Sequence, residues 1–572
     1  MYYYDETKKK KAILIFIVLL IHTSLVFSKD MNILEFGAKA DGLTENQEAI
    51  QKAINTVFST GGGRVIVPKG IFITGTIEIK SNVTLHLNEG AILKGSPNFS
   101  ESKYPKISPG YNSFLARSDI YPEKVLIYAK DANRVGISGP GIIDGNGMSL
   151  KLPEGNWQKQ RLSCVNLIRF ISCKNVELMG ESSDKPLLIR NSAHWAVQPM
   201  NCDSVHIQYV RIENYGGVTP DGLPISDSRN VLVEDCFISS DDDALGLKNG
   251  SPDIVVENII VKRTVFESTN TGFKSGSPQS FGPFKNVKFI GCTFRTLDAS
   301  LKHADHGEHH GFFIGILVGG GSYEDVLIED CIIENTRMPF AMYIGKIRQG
   351  YWAQWWPGRE VKDEFGTVKN IIIRNVSYKN PNSYGVLIEG RKGFEIENIL
   401  MENVYLPSKG NKMAIPIPEE KIQSYPNMSS TYGELPAYGF FIRNAKKVRM
   451  KNVWSWPLNT DDRPCLLTDN VTDLDVSGLN EGFPPDNYVP AVSFDIIKEE
   501  SPSSVYIKAN SRDHDGYIKN VKLFVNEKLV SEKKDIPFEW YLNDLKKGAH
   551  VLKLVATDND GQTSSVTSIF EK

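Results

Sequence analysis

A short alternating segment recurs along this chain at a fixed step, and the step limits what the chain can become. "NVLVEDCFI" (230–238), "NIIVKRTVF" (258–266) and "NVKFIGCTF" (286–294) are three successive copies about 28 residues apart. "DVLIEDCII" (325–333), "NIIIRNVSY" (370–378) and "NILMENVYL" (398–406) extend the series across insertions; "SVHIQYVRI" (204–212) precedes it and a weaker "KVRMKNVWS" (447–455) follows. A repeat of this length cannot bury its own apolar face and must stack on its neighbours as a solenoid. Each copy is a short strand with one apolar face. Gly-rich turns and the lack of helical periods between copies point to an all-β, right-handed parallel β-helix. A sandwich or propeller would need paired hairpin turns, which are scarce. Cys236, Cys292 and Cys331 share one slot of the repeat, so the seven cysteines read as small buried residues rather than a disulfide framework. The Asn at the head of each copy suits a stacked turn in which its amide bonds the backbone of the next coil.

The solenoid spans residues 31–482. At its start "TENQEAIQKAINTVFST" (44–60) predicts a helix with a Thr44–Gln47 capping box and an apolar face of Ala49, Ile50, Ala53, Ile54, Val57 and Phe58, which would plug the open end. After about residue 480 the repeat fades into "GFPPDNYVPAVSF". Residues 490–572 then carry several alternating strands with Asp/Asn/Gly turns, the pattern of a small immunoglobulin-like β-sandwich. Its "DHDG" and "DNDG" fit turn chemistry better than a calcium loop, since no complete ligand set accompanies them. Ahead of everything, "KKKK" (8–11) precedes the apolar run 12–27, with Val26 and Ser28 at the −3 and −1 positions of a cleavage site. Residues 1–28 are expected to be a cleaved signal peptide rather than a membrane anchor, which implies a secreted or periplasmic protein with no stable membrane association afterwards. A formal net charge of −3 gives no global field for nucleic acid.

One stretch resists the structural reading. "SSDDDALGLK" (239–248) carries Asp241, Asp242 and Asp243 inside what otherwise reads as a strand, where alternation sends Asp241 and Asp243 one way and Asp242 the other. Neighbouring carboxylates repel by roughly 4 kcal/mol at about 4 Å and an effective dielectric near 20. Counted from Asn230, the offsets of Asp242 and Asp243 hold Asn270 and Thr271 one coil on, and Asp298 and Ala299 in the next. Lys274 and Lys302 share one offset, Lys248 follows the Asp run, and Asp221 lies in the preceding coil in "TPDGLPISDSRN". Stacking therefore brings carboxylates and ammonium groups together on one outer face, and crowding of this kind raises one carboxyl pKa while leaving others ionised.

These residues carry a resemblance. "FGAKADGLTENQEAIQKAIN", "GGGRVIVPKGIFITGTIEIKSNVTLHLNEGAIL", "AHWAVQPMNCDSVHIQYVRIEN", "TPDG" and "DDALGLKNG" are similar to glycoside hydrolase family 28, the polygalacturonases and their relatives, over roughly residues 31–480. The resemblance implies hydrolysis with inversion: Asp242 as general acid, Asp221 and Asp243 holding and deprotonating the water, and about 6.5–9.5 Å between the carboxyl groups. It implies neither cofactor nor metal, an anionic polysaccharide as partner, and a monomer. Asp241 stands where the family has Gly and reads as a solvated bystander. Thr271 stands in place of the family's His, and Ser300 in place of an Arg that grips a uronate, while Lys302 is retained. Lys274 could replace the missing cation. Lys248, Lys274, Lys302 and Thr271 are thus expected substrate contacts.

Two further loops add to them. "HADHGEHHG" (303–311) puts four of ten His within nine residues, with His303 first, and reads as a polar loop, a substitute His in the cleft, or a metal site. "IRQGYWAQWWPGRE" (347–360) offers Trp352 and Trp355 either as sugar-stacking rings or as loop anchors, with Arg348 and Arg359 suited to an anionic glycan. The leading expectation is a hydrolase of pectic, uronic or sulfated polysaccharide. A calcium-dependent polysaccharide lyase on the same fold and a non-catalytic glycan-binding solenoid are the alternatives.

Overall fold

The computed structural model describes residues 30–149, 156–297, 310–316, 320–345, 364–420, 432–482, 491–498, 504–513, 518–534, 538–543, 545–559 and 561–571. The expected signal peptide lies outside these residues. Among the described residues between Met31 and Glu481, 35 strands join one sheet system, in which strands pair in parallel with their counterparts one coil before and one coil after. One turn of the solenoid is Arg229–Glu234, Phe237–Ser240 and Leu245–Asn249. It stacks on Val256–Lys262, Val265–Ser268 and Thr271–Ser280. The protein is a parallel β-helix with three strands to the coil.

Alternation decides what points inward. Val231, Ile259, Val287, Val326, Ile371, Ile399 and Val448 form one unbroken register column through the core. All seven are essentially inaccessible to water, and burying each such side chain stabilises by about 1.5–3 kcal/mol. Rings stack in the same way, Phe266 on Phe294 at 5.2 Å between centroids. All seven cysteines are buried free thiols.

The leading Asn residues behave differently from the sequence-based expectation. Their amides bond one another rather than backbone: Asn286 donates to Asn258, Asn258 to Asn230 (2.8 Å each) and Asn230 to Asp203 (2.7 Å). Two further ladders run Asn398–Asn370–Asp325 and Asn452–Asn403–Asn375–Asp330. Each ends on a carboxylate at its acceptor end. The rungs occupy the left-handed region, with φ of 54° at Asn230, 56° at Asn258 and 52° at Asn286, where Asn and Asp are tolerated far better than other side chains.

The predicted plug exists as the helix Gln47–Ser59, burying Ile50, Ala53, Ile54 and Val57 over the first coil. The capping box does not form. Thr44 belongs to the strand Asp41–Glu45, where its hydroxyl donates to Asp41 (2.7 Å), and Gln47 turns away to donate to the Thr76 carbonyl (2.9 Å). Phe58 points outward and is 45% exposed.

A second apolar cluster lies outside the coil. Phe313, Ala341, Leu387 and Phe441 are outward neighbours in register, and Phe114, Leu115, Tyr121, Trp195, Phe281 and Leu435 cover them. The segment 111–115 is pinned across this face by Asp227, which accepts from Tyr111 Oη (2.8 Å) and Ser113 Oγ (2.5 Å). Beyond the solenoid, strands between Ala491 and Glu571 form a three-stranded and a four-stranded antiparallel sheet around Val505, Ile507, Leu523, Trp540 and Leu552. This unit meets the coils through polar contacts: Lys508, which also pairs with Glu539 of its own unit (3.3 Å), pairs with Asp235, and Lys379 Nζ donates to the Asp513 carbonyl (3.3 Å). Among the described residues no helix is long and apolar enough to cross a membrane.

The ladder makes a prediction about its middle rung. Asn258→Gly loses two ladder bonds and keeps the backbone region, whereas Asn258→Ala also takes the left-handed penalty of about 1–2 kcal/mol. Chemical denaturation should rank wild type above Asn258→Gly above Asn258→Ala; equal midpoints for the two variants would remove the backbone argument.

Candidate active site

The acidic run is a corner, not part of a strand. Residues 241–244 turn the chain between Phe237–Ser240 and Leu245–Asn249, so the alternation expected from the sequence does not apply. Neighbouring hydroxyls hold the corner: Ser240 and Ser268 donate to the Asp242 carbonyl (2.9 and 2.5 Å) and Thr269 to that of Asp241 (2.6 Å). Asp241 tips back to accept from Gly216 N at 2.6 Å, outside the carboxylate cluster that follows.

Asp221 occupies the equivalent corner one coil earlier. Asn214 anchors it, donating from one amide to the carbonyls of His194 (2.8 Å) and Asp221 (3.0 Å). Gly222 N donates to the Asp243 carbonyl (3.0 Å), which sets Asp221 directly over Asp243. Asp221, Asp242 and Asp243 thus converge, with one oxygen of each within 4.8 Å of the others. That 4.8 Å is a span between nearest oxygens, not the separation of about 6.5–9.5 Å between carboxyl groups of an inverting pair. A water accepting or donating at about 2.8 Å to two oxygens still bridges any two no more than about 5.6 Å apart.

Two lysines complete the cluster. Lys248 Nζ lies 3.1 Å from Asp221 Oδ2, and Lys274 Nζ lies 3.4 Å from Asp243 Oδ1. Gly246 makes room: a Cβ there would sit 3.3 Å from Lys248 Nζ and 3.7 Å from Asp221 Oδ2. Both ammonium groups are buried and committed to aspartates. The sequence assigns them to substrate; the structure gives them to the acids. Asn270 bridges the pair above it, donating to Asp242 Oδ1 (2.8 Å) and Asp243 Oδ1 (3.3 Å). Lys248 also lies 5.1 Å from the Trp195 ring, which packs on Tyr121 at 5.2 Å.

Burial sets the protonation pattern. It pushes the Asp221 carboxyl up to about 8; Lys248 pulls the other way and the charges of Asp242 and Asp243 add to the rise. Burial likewise raises Asp243 to about 6 against Lys274, with Asp242 adding. Burial opposes the Lys248 charge, but Asp221 and Asp243 outweigh it and the pKa rises. The uplift therefore falls on the two inner carboxyls. Asp242 is half-exposed because it stands at the outer edge of the corner. Three carboxylate oxygens this close also have the size of a calcium site, whose ligands sit about 2.3–2.6 Å from the ion. The two paired ammonium groups supply positive charge where such an ion would have to sit, so the donor set suits a cation poorly.

Thr271 is fully buried with its Oγ1 3.5 Å from Asn270 Oδ1, beneath the cluster rather than at its open side. His310, from the His-rich run, is buried opposite Thr271 one coil on. Lys302, His303, Trp352 and Trp355, with Asp298, Ser300, Arg348 and Arg359, lie outside the described residues. Asn214, Trp195 and Tyr121 are site members that the sequence does not single out, and Asn270 is one that it places by offset without giving it a role. Asn270 shares the repeat offset of Asp242, which is a usable signal; Tyr121 arrives from a loop outside the repeat, and no spacing announces it.

A carboxylate cluster at the corner of a parallel β-helix is the arrangement of a carbohydrate-active enzyme class, and comparison with known proteins agrees. Residues 60–264 match the model of glycosyl hydrolases family 28. An exo-poly-alpha-D-galacturonosidase of Dickeya chrysanthemi is 27% identical over 267 residues, 40% of this chain and 43% of that protein. A protein named probable polygalacturonase from Vitis vinifera is 30% identical over 230 residues, 38% of this chain and 44% of its own length. The chain thus spans less than half the length of these two relatives. The crystal structure of a hyperthermoactive exopolygalacturonase from Thermotoga maritima shares the fold, with a TM-score of 0.54 at 20% identity over 75% of this chain and 91% of that one. Over residues 60–264 the chain thus resembles glycosyl hydrolase family 28.

The protonation pattern has a stability signature. Asp221 and Asp243 have folded pKa values raised above the unfolded carboxylate value near 3.9, so their contribution is intact below about pH 4. It is lost as pH rises through about 6 for Asp243 and about 8 for Asp221. Melting temperature should fall across that window in the wild type and fall less in Asp221→Asn, whatever the variant's absolute stability. Parallel curves would show that Asp221 does not titrate there.

Proposed function

We propose that this protein is an exported hydrolase of polygalacturonan-type chains, cleaving the glycosidic bond with inversion. The convergence of Asp221, Asp242 and Asp243 with one oxygen of each within 4.8 Å carries the reading; the family match over residues 60–264 and the relatives' names support it. Asp242, the half-exposed carboxyl, is the group a glycosidic oxygen can reach. Substrate covering it strips away water, which favours its protonated form, and it delivers that proton to the leaving oxygen as the C1–O bond breaks. A water held between Asp221 and Asp243 attacks C1 from the opposite face. Its proton passes to Asp243, which is largely ionised at neutral pH, while Asp221 keeps its own proton and fixes the water by hydrogen bonding. Lys248 and Lys274 hold the two inner carboxyls in place and limit the repulsion among three acids.

The lyase alternative needs a divalent cation on these carboxylates and a free lysine base. Lys248 and Lys274 are each ion-paired to one of the acids, which disfavours it. The expected outcome is release of new reducing ends from polygalacturonate without the ultraviolet absorbance of an unsaturated uronate. Asp242→Asn should lower kcat by roughly 10²–10⁴-fold, the usual contribution of a general acid, with little change in KM. Turnover that survives this substitution, or an unsaturated product, would overturn the assignment. Asp243→Asn should lose a comparable factor and shift the acidic limb of the pH–rate profile, whose position Asp243 sets near pH 6 in the free enzyme.

A further inference from the structure

A cavity of about 340 Å³ lies on the outer wall of the solenoid, lined by Lys106, Ser118, Asp119, Glu123, Lys124 and Leu162. Its size is at the small end of ligand sites, which run from roughly 300 to 1,000 Å³. Lys106 and Lys124 face each other across an isolated antiparallel bridge. Directly opposed residues have Cβ atoms about 4.5–5.5 Å apart, and like charges in such a pair are destabilising. Among the described residues, neither ammonium has a carboxylate within ion-pair distance. Lys124 instead lies over the Phe99 ring at 4.2 Å. Burial and the charge of Lys106 both push the Lys124 pKa down, with Glu101 alone opposing.

Of the acids at the cavity, Asp119 is turned to another cation, accepting from Arg117 Nε at 2.9 Å. Glu123 has no cation within ion-pair distance among the described residues, and its charge reaches the buried Arg169 only through space. The two lysines are therefore held together beside an open volume, with no anion among the described residues paired to either. The same wall reaches the catalytic corner. Between Asp119 and Glu123 it carries Tyr121 inward onto Trp195 (5.2 Å), whose ring lies 5.1 Å from the Lys248 ammonium.

We infer that this cavity is an accessory binding site for one sugar acid of the substrate chain, its carboxylate seated between Lys106 and Lys124 and its hydroxyls on Ser118 and Glu123. The inference rests on the uronan reading above and extends it: a second carboxylate-reading position stands outside the catalytic cluster and adds affinity for long chains without touching the reacting bond.

The test uses the Asp242→Asn chain, titrated by calorimetry with a galacturonate hexamer, a galactose hexamer and sodium sulfate. Adding Lys106→Ala and Lys124→Gln should weaken hexagalacturonate binding roughly 5–10-fold, as expected when charge-assisted hydrogen bonds to a carboxylate are removed. Lys106→Glu, a reversal at an exposed position, should weaken it at least as much with an unchanged melting temperature. In otherwise wild-type protein the same pair should raise KM for polymer and leave kcat unchanged. Binding within twofold of the parent overturns the inference. So does equal weakening toward the galactose hexamer, or an effect confined to sulfate, which marks an adventitious ion only. If polygalacturonate yields no reducing ends but the lysines still govern hexamer binding, the hydrolase reading fails and the cavity stands. Active enzyme whose hexamer binding ignores both lysines keeps the hydrolase and removes the accessory site.

Discussion

Parallel strands can pair only at the ladder spacing of about 4.8 Å, so every side chain of a coil sits over its counterpart in the coil below. That constraint favours repetition where repetition is harmless. Val231 over Ile259 over Val287, or Phe266 over Phe294, gains packing at each step. It punishes repetition of charge. Asp221 over Asp243, with Asp242 beside them, is the arrangement the fold would least choose for stability. The coils tolerate it because Lys248 and Lys274 enter from the adjoining strand positions, and because Gly246 leaves the space that the Lys248 arm fills.

The cluster is therefore balanced by its neighbours rather than by solvent. Removing two ammonium groups and two carboxyls from water costs several kcal/mol per ion before their mutual attraction repays any of it. What the arrangement gains is two carboxyls whose proton affinities differ, one holding its proton at neutral pH and one releasing it, beside a third that solvent can reach. A water bridged between the inner pair meets both a donor and an acceptor. The same crowding that weakens the coil gives the site its asymmetry.

Much of this is legible from the residues. The 28-residue step implies the solenoid, and counting offsets from Asn230 places Asp242, Asp243, Asn270 and Lys274 in neighbouring coils. What spacing cannot supply is local direction. The acidic run reads as strand by composition, yet it turns a corner, because hydroxyls from the next coil hold its carbonyls. Thr44 and Gln47 have the capping-box spacing, but Asp41 and the Thr76 carbonyl are stronger partners, and both depend on how the chain folds back. Offsets put the lysines on the same face as the acids but do not show that each pairs with an aspartate, since a sequence shows charges without saying which of them meet. Tyr121 and Trp195 come from outside the counted offsets and lie beyond that kind of reading.

The asparagine ladders have a direction, and the direction gives the solenoid a grammar for editing. Every rung donates toward the N-terminal coil, and the chain of donors stops at Asp203, Asp325 or Asp330, side chains that accept and have nothing to pass on. A carboxylate is a full stop; an amide is a comma. A coil bearing an Asn rung could in principle be excised or duplicated whole, since its neighbours would close up on an identical bond. A coil bearing a terminal Asp could not, because the amide left behind would reach for an acceptor that has gone. The places where this protein can lengthen or shorten are thus written along one edge of it, in the alternation of two residues that differ by a single atom exchange.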